Sequence, residues 1–75
     1  MSVRTVSNLK KGEKGIIKSF NDKVMSLKLL EMGCIPGCEV RLDAVAPLGD
    51  PVCINIGGNY CLSLRKNEAA AIEIE

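Results

Sequence analysis

Residues 52–64 read Val52-Cys53-Ile54-Asn55-Ile56-Gly57-Gly58-Asn59-Tyr60-Cys61-Leu62-Ser63-Leu64. Branched apolar residues stand at 52, 54 and 56, and a period of two places them on one face of a strand. Gly57-Gly58-Asn59 signals a tight reversal. Tyr60, Leu62 and Leu64 then return on the matching parity. A three-residue loop pairs Ile56 with Tyr60, Ile54 with Leu62 and Val52 with Leu64. All six then share one face, and a slip of one residue would break the arrangement. The same register sends Cys53 and Cys61 to the opposite face as diagonal neighbours.

Upstream of this hairpin, Cys38, Val40 and Leu42 alternate with Glu39, Arg41 and Asp43, the pattern of a half-buried strand. Pro36-Gly37 turns the chain into that strand, and Pro47 to Pro51 is a loop with Gly49-Asp50 as turn residues. Glu13 to Phe20 reads as another strand. Asn21 or Asp22 caps a helix over about residues 22–32. Val24, Leu27 and Leu30, with Met25, Leu29 and Met32, give that helix a broad apolar face. Gly33 suits the left-handed position that ends many helices. Downstream, Asn67-Glu68-Ala69 makes a short turn or one helical turn, and Ala70, Ile72 and Ile74 form a last strand. The order is strand, helix, then four strands. It predicts a mainly β fold, a small, partly closed antiparallel barrel with one inserted helix.

The chain has 75 residues, 47% hydrophobic and 25% charged, which fits a single domain over 1–75. A domain of this size buries only about 60–65% of its unfolded surface, so its core is thin. Phe20 and Tyr60 are the only aromatics. No apolar run approaches the ~20 residues that span a bilayer, so direct membrane insertion is not expected. No signal peptide is visible, which points to the cytoplasm. Charge is uneven. Residues 1–33 hold seven basic and three acidic side chains, and residues 34–75 hold three basic and six acidic ones. Such a dipolar surface can orient docking, although scattered charge is also what any solvated surface carries.

Little in the sequence points to catalysis. There is no histidine, and the carboxylates fall mostly on outward strand positions or turns, where water keeps them near their ordinary acidity. Gly57-Gly58 lacks the lysine and following helix of a phosphate loop. An enzyme is therefore not expected, and no cofactor is assigned. Nucleic-acid binding is not expected either, because single-strand binders use aromatic stacking platforms. The cysteines are spaced Cys34-x3-Cys38 and Cys53-x7-Cys61, too loosely for a four-thiolate zinc knuckle. Cys34 and Cys38 read as small apolar fillers. No metal site is assigned, and Cys53 and Cys61 are the thiols to watch. An aliphatic cleft for a partner would draw on Leu27, Leu30, Met32, Ile35 and Leu48, although apolar helix positions more usually fill a core.

One ordered set of short motifs runs along the chain. It comprises Leu30-Glu31-Met32-Gly33 with Pro36-Gly37, then Ala46-Pro47-Leu48-Gly49-Asp50-Pro51, then Leu62-Ser63-Leu64-Arg65, then Glu68-Ala69. In this order and spacing the set resembles the FeoA family. The resemblance implies an SH3-type barrel with an inserted helical segment. It also implies a cytoplasmic accessory protein of bacterial ferrous iron transport, whose partner is FeoB, a membrane permease with a cytoplasmic GTP-binding domain. It brings no catalytic or metal residues with it, and the four cysteines are not part of its pattern. Asp50 and Arg65 match that pattern and join Leu27, Leu30, Met32, Ile35 and Leu48 as expected partner-binding residues. An uncovered edge strand leaves a homo-oligomer open. Two other readings stand beside this one: a metal- or redox-responsive domain using its cysteines, and a small RNA-binding barrel.

Overall fold

The structure, a computed structural model, describes residues 4–75; the first three residues of the expected domain lie outside them. In chain order the elements are β1 (Arg4–Thr5), a 3-10 turn (Val6–Asn8), β2 (Lys14–Phe20), α1 (Lys23–Glu31), β3 (Glu39–Val45), β4 (Val52–Ile56), β5 (Tyr60–Leu64), α2 (Lys66–Ala70) and β6 (Ile72–Ile74). The strands form one sheet in the order β1-β6-β2-β3-β4-β5, and every pairing is antiparallel.

The β4–β5 hairpin has the register that the alternation predicts: Val52 opposite Leu64, Ile54 opposite Leu62, Ile56 opposite Tyr60. Burial along its inner face fades toward the turn. Leu64 is fully buried, Leu62 is half-buried against the core, and Tyr60 is 42% exposed. The sheet bends at β2. Lys14 to Ile16 pair with β3, whereas Ile17 to Phe20 pair with β6, with a bulge between Ile17 and Ser19. A strand that serves two ladders in this way turns a flat sheet into a barrel corner.

Asp22 caps α1: its Oδ1 accepts the backbone N–H groups of Val24 at 2.9 Å and Met25 at 3.2 Å. The helix ends at Gly33, whose φ of +98° is open to glycine at little cost. The core gathers Val6, Ile17, Leu29, Cys34, Val40, Ile54, Leu64 and Ile72, with Met25, Met32 and Cys38 packed against it.

Four features correct the sequence reading. Arg4–Thr5 is a sixth strand, paired with Ile74 and Glu73. Ala70, expected to open the last strand, closes the helix α2 instead, and β6 begins only at Ile72. β3 runs on to Val45 and bulges between Leu42 and Ala44, which displaces Asp43 from the simple alternation. The apolar face of α1 also divides. Met25, Leu29 and Met32 face the core, whereas Val24, Leu27 and Leu30 lie in solvent.

Candidate functional site

An open cleft of about 420 Å³ lies where α1, the end of β5 and α2 converge. Lys28 on α1 and Met32 at its C-terminal cap, one turn apart, form one wall. Asp50 and Pro51 from the β3–β4 loop, Ser63, Leu64 and Arg65 at the end of β5, and Glu68 of α2 complete it. Lys28 Nζ donates to Glu68 Oε2 at 2.6 Å and bridges the two helices. Only 8% of the Glu68 side chain is exposed, against 63% of Lys28.

Short polar contacts fix the start of α2. Glu68 Oε1 accepts the Arg65 backbone N–H at 2.8 Å, which is the returning half of a capping box. Asp50 Oδ1 accepts the Lys66 backbone N–H at 2.8 Å and ties the loop to the same helix end. The hydrogen bond from Lys28, and then that from the Arg65 backbone, hold the Glu68 carboxyl below its ordinary value against the opposing effect of burial. Glu68 is therefore a carboxylate at neutral pH, and its charge is matched inside the cleft wall.

The seven expected partner-binding residues fall into three places. Met32, Asp50 and Arg65 meet at the cleft. Leu27 and Leu30 stand on the outer side of α1, and Ile35 is exposed in the turn that follows the helix. Leu48 is 95% exposed at the tip of the β3–β4 loop and does not line the cleft. Sequence reasoning missed three contributors. Lys28 and Glu68 line the cleft, and Val24, 86% exposed, extends the outer stripe of α1. Glu68 belongs to the Glu68-Ala69 piece of the family pattern, the one signal that could have flagged it; Arg65 is not an N-cap residue type that would announce a capping box. Tyr60 stands beside this region, its hydroxyl donating to the Met32 carbonyl at a long 3.4 Å.

The cysteines separate by burial. Cys34 is fully buried, Cys38 and Cys53 are half-buried, and Cys61 is exposed. Burial first, with the nearby Glu68 charge and Cys38, pushes the Cys34 thiol up to about 11. Cys53 and Cys61 lie diagonally on the outer face of the hairpin, as the register requires. Among the described residues, no three His, Cys, Asp or Glu side chains are placed to hold one metal ion. No helix among them is long and apolar enough to cross a membrane.

Comparisons with known proteins bear on this architecture. A fusion of Fe(2+) transport protein A with the Fe(2+) transporter FeoB, from Porphyromonas gingivalis, is 37% identical over 71 residues. The match covers 93% of this chain and 8% of that protein, so the chain spans a small part of its relative. The solution structure of a FeoA-like protein from Clostridium acetobutylicum superposes with a TM-score of 0.88 at 28% identity, over 100% of this chain and 87% of that one. FeoA from Stenotrophomonas maltophilia was solved with zinc and is described as a prokaryotic SH3 domain protein and a candidate ferrous iron transport activating factor. It superposes with a TM-score of 0.82 at 27% identity, over 96% of this chain and 89% of that one. The six-stranded antiparallel sheet with its inserted helix is therefore SH3-like. The family model for the FeoA domain matches residues 4–75, and the chain belongs to the FeoA domain family.

Proposed function

We propose that this chain is an accessory protein of ferrous iron transport that works on the cytoplasmic side by docking on a FeoB-like permease. The observation that carries the proposal is the outer stripe of α1. Val24, Leu27 and Leu30 recur every three residues on a helix whose other side is already committed to the core, and all three are exposed. Apolar area left in water forfeits about 25 cal/mol per Å² of burial. A contiguous exposed patch rimmed by charge commonly marks an interaction surface. Lys23, Lys28 and Glu31 lie on the same helix, and the cleft with Arg65 and Asp50 adjoins it through Lys28 and Met32.

The Porphyromonas gingivalis relative joins the two proteins of such a pair in one chain. Tethering of this kind raises the effective concentration of one module near the other, which supports association of the separate proteins. Docking would modulate the permease's GTP hydrolysis or its gate. A bound partner shifts an equilibrium only by its difference in affinity for the two states, so the mechanism requires tighter binding to one transporter conformation. Iron is the cargo in this scheme.

The test is capture of the cytoplasmic part of the FeoB-like permease from the same organism, with and without a GTP analogue. The expected result is nucleotide-dependent capture that Leu27→Lys abolishes. Equal capture with and without nucleotide would remove the state-selective mechanism, and no capture would remove docking itself.

A further inference from the structure

The outer face of β3, β4 and β5 carries a cluster that docking leaves unused. The β3 bulge between Leu42 and Ala44 sets Asp43 beside this face. Asn55 stands opposite Cys61, and Cys53 opposite Ser63. Cys61 Sγ donates to Asp43 Oδ2 at 3.5 Å, and Asn55 Nδ2 donates to Cys61 Sγ at 3.7 Å. Asp43 Oδ1 is held by Arg41 Nε at 2.7 Å. A half-buried thiol and an exposed one thus stand diagonally on one face, the exposed one next to a carboxylate held by a guanidinium.

Spacing decides what these thiols can do together. Diagonal residues on neighbouring antiparallel strands lie about 7–8 Å apart, and Cα atoms more than about 7 Å apart cannot be joined by a disulfide without moving the backbone. A single ion is a longer bridge. Two metal–sulfur bonds of roughly 2.3 Å, set in line, hold their sulfurs about 4.5 Å apart. The ligand count decides which ion. Structural zinc sites want four ligands, but the chain has no histidine, no group of three Cys, Asp or Glu among the described residues is placed to hold one ion, and the neighbouring Asp43 carboxylate is engaged by Arg41. Thiolate softness selects copper(I) among ions content with fewer ligands.

We propose that Cys53 and Cys61 form a two-thiolate site for one soft monovalent ion of the copper(I) class. Binding forms two metal–sulfur bonds and releases two protons to solvent, and no atom changes oxidation state. Asn55 keeps its N–H directed at the Cys61 sulfur once the thiol proton has gone. Arg41 offsets the negative charge that the thiolates add beside Asp43. The site is independent of the docking surface on α1.

The test uses the reduced, full-length chain without oxygen, titrated with copper(I) against a chromophoric copper(I) chelator. The expected result is withdrawal of one ion per chain, with a new near-ultraviolet thiolate-to-metal absorption. Cys53→Ser and Cys61→Ser should each weaken binding beyond the ~10–100-fold that follows loss of a supporting residue, and Cys38→Ser should leave it unchanged. Circular dichroism checks that each variant is folded. Four results would overturn the proposal: no withdrawal from the chelator, equal loss in the Cys38 variant, one ion shared between two chains by native mass spectrometry, or equally tight binding of zinc. A Cys53–Cys61 disulfide formed in air, with loss of two hydrogens by mass, would overturn the spacing argument.

Discussion

Lys28 Nζ and Glu68 Oε2, 2.6 Å apart, join α1 to α2 across the wall of the cleft, although forty residues separate them in the chain. The carboxylate is almost entirely enclosed and also accepts the Arg65 backbone N–H. Replacing Glu68 with alanine therefore removes a helix cap and an inter-helix pair together. The expected loss is about 1–2 kcal/mol of unfolding free energy, readable by urea denaturation at neutral pH. Wild-type stability would show the contacts to be redundant.

The same pair sets a pH dependence. Glu68 is held below its ordinary value of 4.5 by the Lys28 hydrogen bond first and the Arg65 backbone second. The unfolded chain then takes up the proton more readily than the folded one. Its contribution is complete above the unfolded value and is lost as pH falls through the lowered folded value. The stability difference between wild type and Glu68→Gln should be constant near neutral pH and should shrink below about 4.5. A gap that widens with acid would contradict this sign.

At Gly33 the backbone has φ +98°, and an added Cβ would fall inside contact distance of the Tyr60 hydroxyl. Gly33→Ala meets both backbone strain and a clash, and should cost about 1–3 kcal/mol. The clash is with the Tyr60 hydroxyl and ring, which a long hydrogen bond to the Met32 carbonyl holds over Gly33. The penalty for Gly33→Ala should therefore be smaller in a Tyr60→Ala background, leaving the φ strain alone. Equal penalties in the two backgrounds, measured as a double-mutant cycle, would show that the ring plays no part.

What could be read in advance depended on whether the signal was local. The β4–β5 register was legible because parity on both strands and the loop length agree, and a cap at Asn21 or Asp22 was legible because capping involves neighbours in sequence, the structure choosing Asp22. β1 was not, since Arg4–Thr5 is extended by pairing with Ile74 and Glu73 at the far end of the chain. Orientation of α1 was not legible either. With Val24, Met25, Leu27, Leu29, Leu30 and Met32 all apolar, either side could have faced inward, and packing chose Met25, Leu29 and Met32. The Asp43 bulge hides because one extra residue shifts parity without changing composition. For the cleft, Asp50 and Arg65 came from the family resemblance, and Glu68 lies in the same pattern without an evident role; Lys28 looked like an ordinary surface charge until α1 and α2 were brought together.

Thiol chemistry gives a check on burial that needs no partner. Enclosure raises the Cys34 thiol to about 11, with Glu68 and Cys38 adding to the effect of burial, and the thiolate is the species that alkylates. Cys61 is exposed. In the native protein at mildly alkaline pH, iodoacetamide should label Cys61 first and Cys34 last, as followed by peptide mass spectrometry. In denaturant the four cysteines should react at similar rates. Early labelling of Cys34 without denaturant would place that side chain outside the core.

The two sides of α1 give opposite expectations for stability and docking. Leu29 is fully buried, so Leu29→Ala should lose about 2–5 kcal/mol through lost burial and a cavity. Leu27, 65% exposed two residues earlier, should tolerate alanine within about 0.5 kcal/mol. If the outer stripe docks on a permease, Leu27→Ala must weaken capture of the cytoplasmic FeoB-like fragment while thermal stability stays the same. Val24→Ala should act in the same direction, because the two lie one helical turn apart on one face. A Leu27 variant that binds normally but unfolds early would mean that the stripe packs against its own domain, and the docking surface would then have to be sought at the cleft, beginning with Arg65.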